Sequence, residues 1–209
     1  ADTLLLAGVE PTMLDAGDFV GLADDADPGD DPSLDRLRPV VGDAVIDALL
    51  AGIDATVTGT AAADSLVGTD AGERFDALGG ADEVRGAAGG DILLGGAGDD
   101  ALFGGAGFDI LFGEAGDDHL VGEEDGDILV GGAGVDEIDL GPAGAVDLVV
   151  LDGFAADRDF VSGFTRGEDL LSILSLLPAE FDPNAVADFV ALESKVVNAR
   201  PRLEVLFDP

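Results

Sequence analysis

The chain has 209 residues, with 45 Asp and Glu against 9 Lys and Arg and a formal net charge of -36. Self-repulsion of that size opposes compaction until cations neutralise it, and it disfavours nucleic acid and anionic membranes as partners. The absence of Cys excludes disulfides and thiolate chemistry, and 47% apolar residues exclude a simple solvating tail despite 32 glycines. No apolar run approaches the roughly 18 residues of a spanning helix, so no membrane span is predicted. The start at Ala1 without Met predicts a mature fragment or a piece of something larger.

Residues 1–58 read as an N-terminal flank. The stretch 24–31 (DDADPGDD) is an acidic loop that lacks the alternating ligand order of an EF-hand, so a solvated linker is expected there. Ser33 is placed to cap a helix whose apolar positions Leu34, Leu37, Val40, Val41, Val45, Ile46, Leu49 and Leu50 recur at helical spacing. Pro39 falls inside that pattern and is expected to break or kink it. The firmer helix is 42–51, ended by Gly52.

From 59 to 139 the chain repeats in nines: GTAAADSLV, GTDAGERFD, ALGGADEVR, GAAGGDILL, GGAGDDALF, GGAGFDILF, GEAGDDHLV, GEEDGDILV, GGAGVDEID. Position six is always acidic: Asp64, Glu73, Asp82, Asp91, Asp100, Asp109, Asp118, Asp127 and Asp136. Position eight is always apolar, from Leu66 to Ile138. Such self-similarity predicts a solenoid, with the first six residues of each unit as a turn and the last three as a short strand. Glycines recur at positions one and four, where positive φ and close backbone approach are expected. Three turns fit GGxGxD without deviation, through Gly95 and Gly98, Gly104 and Gly107, and Gly131 and Gly134; elsewhere Glu114, Glu123 and Asp125 replace small residues.

If successive units lie on opposite sides of a flattened coil, alternate units share a sheet and position eight points inward on both sides. One outward face then reads Ile92, Leu94, Ile110, Phe112, Ile128 and Val130; the other mixes Glu83, Arg85, Phe103, His119 and Glu137. An exposed apolar sheet of that size aggregates or binds something. A flank, either the helix near 42–51 or the C-terminal segment, is expected to cover it; left uncovered, it would favour a binding partner there.

Stacked turns that each supply a carboxylate and several carbonyls suit calcium, which takes six to eight oxygen ligands. Magnesium fits worse because it demands octahedral geometry, and transition metals want imidazole or thiolate where this chain has one His and no Cys. One edge is expected to pair Asp64, Asp82, Asp100, Asp118 and Asp136, the other Glu73, Asp91, Asp109 and Asp127, holding roughly five to seven calcium ions.

These units resemble the RTX (repeats-in-toxin) family, whose GGxGxDxUx nonapeptides form a calcium-bound, right-handed parallel β-roll. The segments around 134–138, 159–164 and 167–172 are similar to the strand-rich part that follows such repeats in type I secreted proteins. The resemblance implies a secreted protein, extracellular or at the cell surface, handled by the type I secretion machinery and folded outside by calcium. Unneutralised carboxylates keep such a chain open, and binding energy becomes folding energy.

Beyond the repeats, strands are expected at 146–151, 159–164, 169–177 and 203–207, with a short helix at 184–192. Together 140–209 forms a strand-rich C-terminal cap that shields the coil's open end. His119 reads as a surface residue, and no second His is present for a His-based metalloprotease. The chain is thus read as a mainly β, non-enzymatic calcium-binding module of a larger secreted protein. Two alternatives stand beside it: a calcium-stiffened adhesin segment, and the accessory module of a polysaccharide-modifying enzyme.

Overall fold

Glycine-rich turns followed by an Asp-x-apolar triplet let the backbone reverse every nine residues, and so it does in the computed structural model. The structure describes residues 32–151, 159–165 and 168–172, and the strands Val190–Val197 and Arg200–Phe207. The acidic loop 24–31 lies outside these residues. Two units divide the chain, 1–51 and 52–209.

In the first unit the described residues form three short helices, α1 (Pro32–Asp35), α2 (Arg38–Val41) and α3 (Asp43–Leu50). Pro39 stands in the first turn of α2, so the apolar periodicity is cut into separate helices as its ring demands. Ser33 lies within α1 rather than ahead of it: the helix starts at Pro32, whose fixed φ suits a first turn. Gly42, at φ 84, separates α2 from α3. Leu34, Leu37, Ile46 and Leu49 are buried, and the Arg38 guanidinium bonds the carboxylates of Asp43 (3.1 Å) and Asp47 (3.3 Å) on α3.

The second unit is a coil of two sheets. Strands are numbered in chain order. One sheet runs β1 (Ile53–Thr60), β3 (Gly72–Leu78), β5 (Ile92–Ala97), β7 (Ile110–Ala115), β9 (Ile128–Ala133), β11 (Leu148–Val150) and β13 (Leu170–Ser172). The other contains β2 (Ser65–Val67), β4 (Glu83–Ala88), β6 (Ala101–Ala106), β8 (His119–Glu124), β10 (Glu137–Asp139) and β12 (Phe160–Ser162). Every pairing among these strands is parallel, and in the central turns the register advances by 18 residues, as in Ile92↔Ile110 and Leu102↔Leu120. Alternate units therefore share a sheet, and the parallel β-roll is the fold. Its pairing starts before the nonapeptide stretch, at β1, and continues after it through β11, β12 and β13.

The position-eight side chains form the core: Phe75, Val84, Leu93, Leu102, Leu111, Leu120, Leu129 and Ile138 are fully buried in one cluster with Val149 and Val161. The outward positions Ile92, Leu94, Ile110, Phe112, Ile128 and Val130 are buried too, whereas Glu83 and Arg85 on the other sheet are exposed. On that second face Arg85 lies over the Phe103 ring at 4.2 Å, and Phe103 meets His119 edge-on.

Two local expectations are corrected. Central strands are six residues long, not three, because positions one to three of the next unit stay hydrogen-bonded to the neighbouring turn. The carbonyl of Ala115, at position three, for instance accepts the Gly98 N–H of the neighbouring turn at 2.8 Å. Positive φ falls at positions two and four, not one and four: Gly96, Gly105 and Gly132 at position two, Gly98, Gly107 and Gly134 at position four. Position one is glycine for close approach. A Cβ on Gly95 would sit 2.6 Å from Asp100 Oδ2 and 2.9 Å from the Gly113 carbonyl.

At the C-terminal side, β15 (Arg200–Phe207) pairs antiparallel with β12 and with β14 (Val190–Val197), extending the second sheet. The helix expected at 184–192 is thus a strand from Val190 onward, and its earlier part lies outside the described residues. In 190–192 the run Val-Ala-Leu gains inter-strand bonds from β15, which decide a segment of mixed propensity. Residues 173–177 of the strand expected at 169–177 also lie outside.

Candidate metal centre

Each position-six carboxylate sits where a turn enters a strand, and each is tied to the turn stacked on it. The Asp82 N–H donates to Asp100 Oδ1 (2.7 Å), Asp100 to Asp118 (2.8 Å) and Asp118 to Asp136 (2.9 Å). On the opposite edge Asp91 donates to Asp109 (2.7 Å) and Asp109 to Asp127 (3.0 Å). Asp64 and Glu73 head the two ladders through their N–H bonds to Asp82 and Asp91, both 2.7 Å. A return bond completes each rung, as where the His119 N–H donates to the Asp100 carbonyl at 2.8 Å.

These ladders consume only half of each carboxylate. Oδ2 of Asp82, Asp91, Asp100, Asp109, Asp118, Asp127 and Asp136 is buried and accepts no hydrogen bond. A buried acceptor left bare costs on the order of 1–3 kcal/mol, more when charged, so seven in register point to a missing positive partner. Glycines at position one keep the space beside them open: a Cβ on Gly86, Gly104, Gly113, Gly122 or Gly131 would overlap the Oδ2 of its own unit's aspartate. Parallel strands lie about 4.8 Å apart, so equivalent oxygens on successive rungs are separated by about twice a calcium–oxygen distance of about 2.4 Å. The site therefore fits calcium, with backbone carbonyls completing the oxygen set. No group of three or more His, Cys, Asp or Glu converges among the described residues, as expected when each turn supplies one carboxylate.

Burial is the largest influence on these acids and raises them; the N–H bond from the preceding rung opposes it, and neighbouring carboxylates add to the rise. Asp91 is pushed up to about 6, Asp109, Asp118 and Asp136 to about 7, and Asp127 to about 9. Asp100 and Asp147 are raised for the same reasons. Without a cation, protons are the available counter-charge.

The ladder residues named from sequence all stand in these two rows, and Gly95, Gly98, Gly104, Gly107, Gly131 and Gly134 lie in the turns that carry them. Asp64 and Glu73 differ in one respect. The Thr60 N–H and Oγ1 donate to Asp64 Oδ2 at 2.6 and 2.8 Å, and Thr69 donates to both oxygens of Glu73.

Three rungs escaped the sequence reading. The Asp127 N–H donates to Asp147 Oδ1 (2.9 Å), Asp136 to Asp159 (3.1 Å) and Asp147 to Asp169 (3.1 Å). Their spacings of 20, 23 and 22 residues break the nine-residue register. The signal that survives is the acid followed two residues later by a core apolar residue: Asp147 and Val149, Asp159 and Val161, Asp169 and Leu171.

Comparison with known families agrees with this geometry. Residues 76–111 and 103–138 match the model of the RTX calcium-binding nonapeptide repeat, in 4 copies. No curated protein matches the chain. The chain carries a parallel β-roll whose residues 76–138 match the RTX calcium-binding nonapeptide repeat.

Proposed function

We propose that this module folds when it binds extracellular calcium and so supports type I secretion of a larger secreted protein. The observation that carries the reading is the row of seven buried, unpartnered carboxylate oxygens in a chain of net charge -36. Without cations, those charges oppose the packed coil and favour an open chain able to pass a channel. With calcium, binding free energy becomes folding free energy. Asp82, Asp91, Asp100, Asp109, Asp118, Asp127 and Asp136 act as ligands, and 140–209 serves as the capping, secretion-associated segment.

The role is non-catalytic in this reading: the buried carboxylates of the described residues all stand in the two ladders. The adhesin alternative needs an open apolar face, and the outward positions of the first sheet are buried instead. Among the described residues no helix is long and apolar enough to cross a membrane.

Far-UV circular dichroism during calcium titration of the metal-stripped chain tests folding, with magnesium as the control. A cooperative gain of β structure with calcium alone is expected; a fully folded chain indifferent to calcium overturns the reading. Export is tested by expressing the chain beside a type I exporter, where it should reach the medium and stay inside when the exporter is absent.

A further inference from the structure

We infer that the calcium ladders run one rung past the matched repeats on each edge, to Asp147 and Asp159, and that at three of their four ends, Asp64, Glu73 and Asp169, threonine stands in place of a cation. This rests on the calcium reading above and deepens it.

The extension stands on geometry. Asp147 and Asp159 present Oδ1 to the backbone N–H of the rung before them, as every position-six aspartate inside the matched stretch does. Their strands β11 and β12 continue the parallel pairing onto β9 and β10 without a gap. Asp147 is 3% exposed, matching Asp82 and Asp100 at 3% each, so it lies in the same dry edge. The rungs they join are Asp127 and Asp136, 1% and 0% exposed, each holding an Oδ2 with no hydrogen-bond donor.

The closure stands on a contrast. At three ladder ends the outer carboxylate oxygen has a donor. Thr60 supplies N–H and hydroxyl to Asp64, Thr69 does so for Glu73, and the Thr165 N–H donates to Asp169 Oδ2 at 2.6 Å. Each threonine lies four residues before its acid. At position two of the first two units it stands where each of the seven later units has a residue at positive φ. At these three ends the outer carboxylate oxygen is thereby met by hydrogen bonds in place of a cation.

Calcium stoichiometry of the full chain, by titration calorimetry and native mass spectrometry, tests both halves. Asp147→Asn and Asp159→Asn keep an oxygen for the ladder bond but lose the charge, and each is expected to bind one ion fewer than the unmutated chain. Asp64→Asn and Glu73→Gln are expected to bind the full number. Retention of every ion by Asp147→Asn or Asp159→Asn overturns the extension on that edge, and an ion lost in Asp64→Asn or Glu73→Gln overturns the closure. An unmutated chain that binds no calcium defeats the functional reading itself, which separates the two failures. Should a variant not fold, anomalous scattering from calcium-loaded crystals of the unmutated chain decides: density beside Asp147 and Asp159 and none beside Asp64 and Glu73 is expected, and the reverse overturns it.

Discussion

Asp118 shows how one side chain does two jobs. Its Oδ1 accepts the Asp100 N–H at 2.8 Å, while its buried Oδ2 has no donor. Asp118→Asn keeps the first function and loses the ionic ligand, so calcium affinity should fall at least about tenfold while calcium-saturated β content stays. Calorimetry beside circular dichroism reads both. Gly104 is constrained from the other side, since an added Cβ would meet Asp109 Oδ2 at 2.5 Å and the Gly122 carbonyl at 2.9 Å. Gly104→Ala should cost about 1–3 kcal/mol in denaturant unfolding with calcium present. Strain runs the opposite way at Leu78, a half-exposed position-two residue held at φ 72. A left-handed conformation costs a non-glycine residue about 1–2 kcal/mol, part of which glycine returns as unfolded-chain entropy. Leu78→Gly should therefore stabilise the calcium-loaded coil, and an unchanged or lower denaturation midpoint would contradict that account.

A single strand of this coil cannot stand alone. Each contributes one inward side chain per half-turn, and burial comes only when the next turn is stacked on it. Leu111 on β7 is fully buried between the two sheets. Leu111→Ala should cost about 2–5 kcal/mol by thermal or denaturant unfolding in calcium, because the close-packed neighbours collapse only partly into the gap. The lengthened strands belong to this scale as well. Turn residues at positions two and three keep hydrogen bonds to the next turn, so each loop is held as firmly as the strands it joins.

Over the whole molecule, charge sets the conditions for folding. The buried aspartates have folded-state pKa values raised from the ordinary 3.8 to between about 6 and about 9. A raised acid binds its proton more tightly when folded, so the metal-free coil is favoured at low pH and loses stability as pH climbs through that window. Metal-stripped protein should therefore show more β structure near pH 5 than near pH 8.5, and equal spectra would refute the linkage. Calcium competes for the same oxygens, so its binding should release protons and weaken as pH falls below about 7. Titrating in buffers of different ionisation enthalpy measures that release directly.

The nine-residue period alone determined the parallel coil, the inward position-eight row and the two acidic edges, because a strict repeat admits one stacking in which core and charge both stay in register. It also determined the metal's chemistry, since oxygen was nearly the only donor on offer. Tertiary structure decided what period could not express. Asp147, Asp159 and Asp169 joined the ladders at irregular spacing, because hydrogen bonding to a preformed edge selects a carboxylate by position in space rather than in sequence. The division of labour between glycines likewise depended on the stacked neighbour: position one faces the next turn's carbonyl, while positions two and four carry the positive φ. The segment from Val190 became a strand for the same reason, as inter-strand bonds to β15 outweighed its local preference.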